Sequence, residues 1–221
     1  ILATSGGLWI SHNNGNFNFS LPLAVVTGQS ITVVAAANLN GGPLDLVVGR
    51  GDSPSVSIYL ASPSGGFGNP TTRAVTPAQQ GTTILDIEAA DMDRDGDLDI
   101  VLIFQCGVGI FPNSGSGSFG TYLPLRFDCG DVYHSYDLEI ADLDNNGYLD
   151  VAVGIFSASE RGVQVYAFQA NLTFTAQVLQ TEVGQGWTVA LADVNSDGLT
   201  DIMLGSTGSL GQGDERLIQN A

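Results

Sequence analysis

Short apolar runs alternate with polar, glycine-rich segments along the whole chain, and no stretch holds a helical period. ITVVAAAN, LDLVVGR, VSIYL, ILDIEAAD, LDIVLIF, VGIFPN and YDLEIAD are such runs, bounded by Gly, Asn, Asp, Ser and Pro. That punctuation predicts many short β-strands rather than helices. The runs also recur in a fixed context. DMDRDGDLDIVL begins at Asp91, DLDNNGYLDVAVG at Asp142 and DVNSDGLTDIMLG at Asp193, with a degenerate copy, NLNGGPLDLVVG, at Asn38. Asp142 follows Asp91 by 51 positions, Asp193 follows Asp142 by another 51, and Asn38 precedes Asp91 by 53. A small apolar run ending in alanine stands before each copy, at Ala37, Ala90, Ala141 and Ala192. A second register runs alongside: Phe17, Phe67, Phe119 and Phe174 follow turn-like segments, each with an aromatic eight residues earlier, at Trp9, Tyr59, Phe111 and Tyr166.

Each unit therefore reads as strand a (small and apolar), an acidic loop, strand b, a turn, strand c, a Gly-rich hairpin and strand d. Four strands in a period of about 40–50 residues are the signature of a β-propeller blade. The small residues of strand a suit the crowded innermost position around a channel. The expected fold is all-β: one propeller domain or fragment over residues 1–221, of four-stranded antiparallel blades, with repeats starting near 31, 84, 135 and 186. A double-sheet sandwich accommodates the strands but does not require the regular spacing. The first residues, ILATSGGLWISHNNGNFNFSLPL, read as b, c and d without a, and the last, from Trp187, as a, b and c without d. About four to five blades are thus expected, either as part of a larger ring or as a protomer that self-associates through open blade edges, since unpaired edges invite pairing.

The acidic loops supply the candidate chemistry. Counting from the first residue, Asp91, Asp93, Asp95 and Asp99 fall at positions 1, 3, 5 and 9, with Gly96 at 6. Asp142, Asp144, Asn146 and Asp150 repeat the set around Gly147, and Asp193, Asn195, Asp197 and Asp201 repeat it around Gly198. Alternate positions of a tightly curled loop can turn their oxygens to one centre, and position 7 (Asp97, Tyr148, Leu199) offers its backbone carbonyl. An all-oxygen set suits a hard cation, so calcium is favoured over zinc or copper. An EF-hand is excluded, because position 12 is Leu102, Val153 or Leu204, inside a strand. A metal-free turn rich in Asp, Asn and Gly is the competing reading. The Asn38 copy is one residue short, has Pro43 where glycine should stand, and is expected to bind no metal.

Charge narrows the partners. Six Lys+Arg against 23 Asp+Glu give a formal net charge of -17. Nucleic acid and anionic membrane surfaces are disfavoured by that sign, and no apolar run is long enough to insert into a bilayer. Cations, neutral glycans and other proteins are left. Hydrophobic residues make up 43%, too many for a disordered acidic tail. The chain opens at Ile1 with no Met or signal peptide, which reads as a mature chain or a fragment. No catalytic constellation stands out, so no enzyme activity is expected. Glu88 and Glu139, three residues before their loops, are expected to line the channel or support the metal shell.

The D-x-D-x-D-G-x-x-D loop followed by an apolar strand, at this period, resembles the FG-GAP/VCBS repeat found in integrin α-chain heads, fungal lectins and secreted carbohydrate-active proteins. GGLWISHNNGNF and QGWTV are similar to segments of the fungal Psathyrella-type propeller lectins, which bind N-acetylglucosamine-type sugars between seven blades. The resemblance implies an extracellular, lectin-like module that binds glycans and carries about three structural calcium ions. The alternatives it leaves are a protein-binding adhesion or assembly module of integrin-head type, or the non-catalytic propeller of a larger secreted polysaccharide-active enzyme. Under a secreted reading Asn18 and Asn171 become glycosylation acceptors, and Cys106 and Cys129 a candidate disulfide on the rim away from the calcium loops. Trp187 and His134 are the candidate ligand-binding residues.

Overall fold

The computed structural model describes residues 2–4, 6–75, 83–105, 107–127, 134–156, 160–180, 185–207 and 213–218. Five antiparallel sheets follow one another in chain order. The first holds β1 (Leu2–Thr4), β2 (Gly7–Ile10) and β3 (Leu23–Thr27). The second holds β4 (Ile31–Ala37), β5 (Asp45–Arg50), β6 (Ser55–Tyr59) and β7 (Thr71–Ala74), and the third β8 (Ile84–Ala90), β9 (Asp99–Phe104), β10 (Gly107–Phe111) and β11 (Leu123–Phe127). The fourth holds β12 (His134–Ala141), β13 (Asp150–Phe156), β14 (Arg161–Gln169) and β15 (Thr173–Gln180), and the last β16 (Gln185–Ala192), β17 (Asp201–Thr207) and β18 (Gly213–Ile218). The end sheets are b–c–d and a–b–c, as the sequence pattern predicts. A single 3-10 turn at Ala170–Leu172 is the one helical element among the described residues.

Burial along each blade explains its composition. The a strands of adjacent blades lie side by side, β4 against β8, β8 against β12 and β12 against β16. The b and c strands are sandwiched on both faces: every described residue of β9 and of β10 is buried. Strand d faces water, so β7 is largely exposed. Because strand side chains alternate between faces, one strand feeds two cores. Ile100, Leu102 and Phe104 pack towards the second blade with Val47, Ile58 and Leu39. Val101 and Ile103 pack towards the fourth with Val151, Val153 and Tyr166. The hydrophobic core is thus a series of layers between blades, which is why b strands read as continuous apolar runs.

Hydrogen bonds between a strands join neighbouring blades. Thr32 Oγ1 donates to the Ile84 carbonyl (2.6 Å), the Leu138 N–H to Asp86 (3.3 Å) and the Val189 N–H to Asp137 (2.9 Å). Each a strand carries a bulge at this level, the register shifting at Ile31/Val33, Ile84/Asp86, Ser135/Leu138 and Gly186/Thr188. Gly49 is required there: a Cβ would lie 2.6 Å from Val33 Cγ1 and 2.8 Å from Ile84 Cγ2 of the next blade.

The aromatic register needs one correction. Ala61 bridges Phe67 and Asn113 bridges Phe119, but the matching bridge in the first sheet joins Asn13 to Phe19. The counterpart of the buried Phe119 is therefore Phe19, and Phe17 is 97% exposed at a left-handed hairpin position (φ 59°). The equal spacing of Trp9 and Phe17 is a coincidence of composition, since Trp9 sits at the bulge where β2 meets β3, the place Gly109 occupies in β10.

Candidate functional site

The acidic loops connect strands a and b, and their backbones are alike. Asp91 accepts the N–H groups of Asp95 (3.1 Å) and Gly96 (3.1 Å), Asp142 those of Asn146 (3.1 Å) and Gly147 (2.8 Å), and Asp193 those of Asp197 (3.2 Å) and Gly198 (2.9 Å). At position 5, Asp95, Asn146 and Asp197 each accept the N–H of position 7, Asp97, Tyr148 and Leu199, at 2.7–2.9 Å. The chain turns twice through left-handed backbone, at Arg94, Asn145 and Ser196 (φ 57–66°) and at Gly96, Gly147 and Gly198 (φ 86–94°). Glycine takes the second turn without a Cβ penalty. The first turn, at position 4, has no glycine signal, and sequence reasoning missed it.

Two loops gather carboxylates closely. Asp91, Asp93 and Asp99 form one trio, and Asp142, Asp144 and Asp150 the other, with ligand oxygens all within 4.8 Å of one another. Asp95 stands outside its trio, turned to the Asp97 N–H. In the third loop position 3 is Asn195, whose amide nitrogen donates to Asp197 (2.9 Å), so amide and carboxylate oxygens are mixed. Burial and the neighbouring Asp95 and Asp91 hold the Asp93 carboxyl above its usual range. Burial pushes Asp99 up to about 6, against two backbone hydrogen bonds that favour its charged form. Like charges so close disfavour ionisation, and a cation between them reverses that. The donor set, all oxygen and partly backbone-braced, fits a hard divalent ion.

Position 9 does more than close such a cage. Asp99 is fully buried and accepts the N–H groups of Met92 (2.9 Å) in its own loop and Asn113 (2.7 Å) in the c–d hairpin. Asp150 does the same with Leu143 (2.8 Å) and Phe168 (2.8 Å). Asp45, in the loop without an acidic set, makes the same pair with Leu39 (2.9 Å) and Ala61 (2.7 Å). The carboxylate is therefore a clamp between loop and hairpin that needs no metal. These pairs put a–b loops and c–d hairpins on one rim, as strand polarity predicts. The residue between positions 1 and 3 plugs the core: Leu39, Met92 and Leu143 are buried, whereas Val194 is 45% exposed. In the degenerate loop the Leu39 carbonyl accepts Asn113 Nδ2 (2.9 Å) and the Gly117 N–H (3.0 Å), so the third blade's hairpin braces it.

Acids also cluster on the inner strands. Glu88 is pushed up to about 7, first by burial, then by the charges of Glu139, Asp86 and Asp137. Burial likewise raises Asp86 and Glu139. Glu88 and Asp86 of β8 thus form one acidic cluster with Asp137 and Glu139 of the neighbouring β12. A raised folded-state pKa means that the folded protein holds the proton that the unfolded chain releases. Stability from this group is present below pH 4.5 and is lost as pH rises towards 7. We predict that Glu88→Gln raises stability at pH 8 by about 1–2 kcal/mol, allowing for partial solvent screening. It should also flatten the dependence between those limits, read from urea melts across the range. An unchanged pH profile would count against the cluster.

A cleft of about 440 Å³ opens between the second and third blades, lined by Thr72, Arg73 and Ala74 of β7 and by Phe111, Phe119, Gly120, Thr121 and Tyr122. Phe111 and Tyr122 stack tilted, with ring centroids 5.1 Å apart. A Cβ at Gly109 would collide with the Tyr122 hydroxyl, so glycine there lets the ring tuck across β10. The Tyr122 hydroxyl and Arg73 Nε are buried without hydrogen-bond partners. The repeated aromatic positions were a sequence signal for Phe111 and Phe119; Arg73 and Tyr122 carried none.

The other expected residues fall elsewhere. His134 opens β12 opposite Phe156 rather than lying in the preceding connection, and Trp187 sits at the bulge of β16. Asn18 and Asn171 are exposed in c–d hairpins, Asn171 with φ 61°. Cys106 and Cys129 lie outside the described residues. No helix of the described residues is long and apolar enough to cross a membrane.

Comparison with known proteins agrees with this architecture. A lectin of Agrocybe aegerita, solved for its specific recognition of non-reducing terminal N-acetylglucosamine, superposes with a TM-score of 0.60 at 20% identity, over 98% of this chain and 61% of its own. BBS1N, solved in complex with ARL6DN, superposes with a TM-score of 0.52 at 12% identity, over 99% of this chain and 62% of its own. This chain therefore spans about three-fifths of the length of either, and the likeness is one of fold. No curated protein sequence matches. The family model for the FG-GAP-like repeat matches residues 42–102, 95–153 and 155–204, the segments that hold the three acidic loops and the end of the degenerate one. With most of its length so matched and its blades so built, this chain belongs to the FG-GAP-like repeat family and has the β-propeller fold.

Proposed function

We propose that this chain is an extracellular, calcium-binding propeller that acts as a glycan-binding module rather than an enzyme, with the cleft between its second and third blades as the binding site. The observation that carries the reading is the cleft itself. Its volume lies within the range of about 300–1,000 Å³ usual for small-ligand sites. Its floor is the apolar packing of Phe111, Phe119 and Tyr122, and its buried polar atoms Arg73 Nε and Tyr122 Oη have no hydrogen-bond partner. The A. aegerita lectin, of the same fold, was solved for recognition of a terminal sugar, which favours the same class of ligand here. Calcium would be held by Asp91, Asp93, Asp95 and Asp99, by Asp142, Asp144, Asn146 and Asp150, and by Asp193, Asn195, Asp197 and Asp201. The carbonyls of Asp97, Tyr148 and Leu199 would complete these sets. The ion would neutralise the crowded carboxylates, and its role would be structural.

A glycan array in calcium tests the proposal. Binding is expected, and Thr121→Trp, which fills the cleft from an exposed position, should weaken it at least about tenfold with an unchanged melting temperature. Absence of binding to any sugar would sink the lectin reading. A second reading, a protein-binding module, is favoured by one observation. Phe17, Phe19, Leu21 and Leu23 stand 56–97% exposed along the hairpin and d strand of the first sheet, and contiguous apolar exposure of this kind marks interaction surfaces. BBS1N, which superposes on this chain, was solved in complex with ARL6DN.

A further inference from the structure

Arg73 gives the cleft a chemical preference. All six basic residues of the chain are arginines, against 23 acids. Arg50 pairs with Asp52 (2.8 Å) and Arg126 with Glu160 (2.8 Å), while Arg94 lies over the Tyr148 ring (5.2 Å) and Arg161 over that of Phe156 (5.3 Å). Among the described side chains Arg73 alone has neither an acid nor a ring, and its Nε is buried with no acceptor. It stands on β7 with Thr72 and Ala74 and opens into the cleft, whose lining contains no carboxylate. In so acidic a chain an acid-free cleft with an unneutralised guanidinium is a local inversion of charge.

A buried guanidinium N–H without an acceptor is costly, and the fork of arginine matches the two oxygens of a carboxylate. Beneath it the largely buried Phe111, Phe119 and Tyr122 form an apolar floor, in which the Tyr122 hydroxyl is also unsatisfied. We infer that the cleft between the second and third blades takes a hexuronate, the sugar's carboxylate paired with Arg73 and its ring over the apolar floor. The inference rests on the glycan-binding reading and narrows its ligand from sugars in general to acidic ones. The overall negative charge opposes an anionic ligand at long range but is screened beyond about 8–10 Å at physiological salt, whereas the contact at Arg73 is not.

The test compares a short oligogalacturonate with its fully methyl-esterified counterpart by calorimetry, in calcium, at neutral pH. The two share the same sugar backbone and differ at the carboxyl group, charged in one and a neutral methyl ester in the other. The acid is expected to bind about tenfold or more tightly than the ester, Arg73→Gln to erase that difference, and Arg73→Lys to restore it in part, as a point charge without the fork. Equal binding of acid and ester, or a preference that survives Arg73→Gln, would overturn the inference. So would binding of neither to a protein that still binds neutral sugars on the array, and in each of these cases the glycan-binding reading would survive wherever a sugar bound. Binding of neither, with an empty array, would overturn both.

Discussion

Asp45→Ala is expected to lower the stability of the folded chain by about 3–5 kcal/mol. Asp45 is wholly buried and holds the N–H groups of Leu39 and Ala61, at 2.9 and 2.7 Å. Alanine leaves both donors buried with no acceptor, and hydrogen bonds to a charged group are worth roughly 1.5–3 kcal/mol each. For a chain of this size the melting temperature should fall by roughly 6–20 °C. Asp45→Asn keeps one acceptor oxygen and should recover part of the loss. The effect must be the same with and without calcium, because this loop lacks the acidic set at its first positions. A fall of under about 3 °C would mean that the paired hydrogen bonds are not the clamp described.

Chelation is the second large effect. If three loops hold calcium at a free concentration of about a hundred times the dissociation constant, each contributes about 2.7 kcal/mol, and removal of all three costs roughly 8 kcal/mol. The melting curve should shift down in chelator and return when calcium is added back. Asp142→Ala should remove about a third of the shift, since Asp142 belongs to one trio and to no clamp. Asp150→Ala should destabilise under both conditions, because Asp150 belongs to the trio and also bridges Leu143 and Phe168. A melt indifferent to chelator would return the loops to metal-free Asx turns.

The pair of predictions separates two roles that look alike in sequence. An aspartate closes all four copies, at position 9 in three and as Asp45 at position 8 of the shorter Asn38 copy, and a ligand for the cation was the role its spacing implied. The degenerate loop shows the other role plainly: it lost its acids at the first positions and kept Asp45. Only the hairpin two strands away, which supplies the second N–H, reveals why. Asp201 illustrates the same dependence, for its Oδ2 accepts the Val194 N–H (3.0 Å) while its Oδ1 has no partner among the described residues.

Whatever depends on near neighbours in the chain was legible beforehand. The repeat period, the four strands of a blade, the partial first and last sheets and the glycine at position 6 all follow from local pattern, because strand periodicity and left-handed turns are satisfied within a few residues. The spacing of Trp9 and Phe17 misled for the same reason, since a local count cannot see that Trp9 stands where Gly109 does and that Phe19, not Phe17, makes the hairpin bridge. What joins one blade to the next was decided only by the tertiary structure. Thr32 finds Ile84 and Asp86 finds Leu138 across 52 positions, and Arg73 lines one cleft with Phe111, Phe119 and Tyr122 of another sheet and its hairpin. Alternation along b and c strands states that both faces are buried, but not which neighbour covers each. That depends on the twist and stacking of blades, and it is there that the cleft, with its unpaired guanidinium, takes shape.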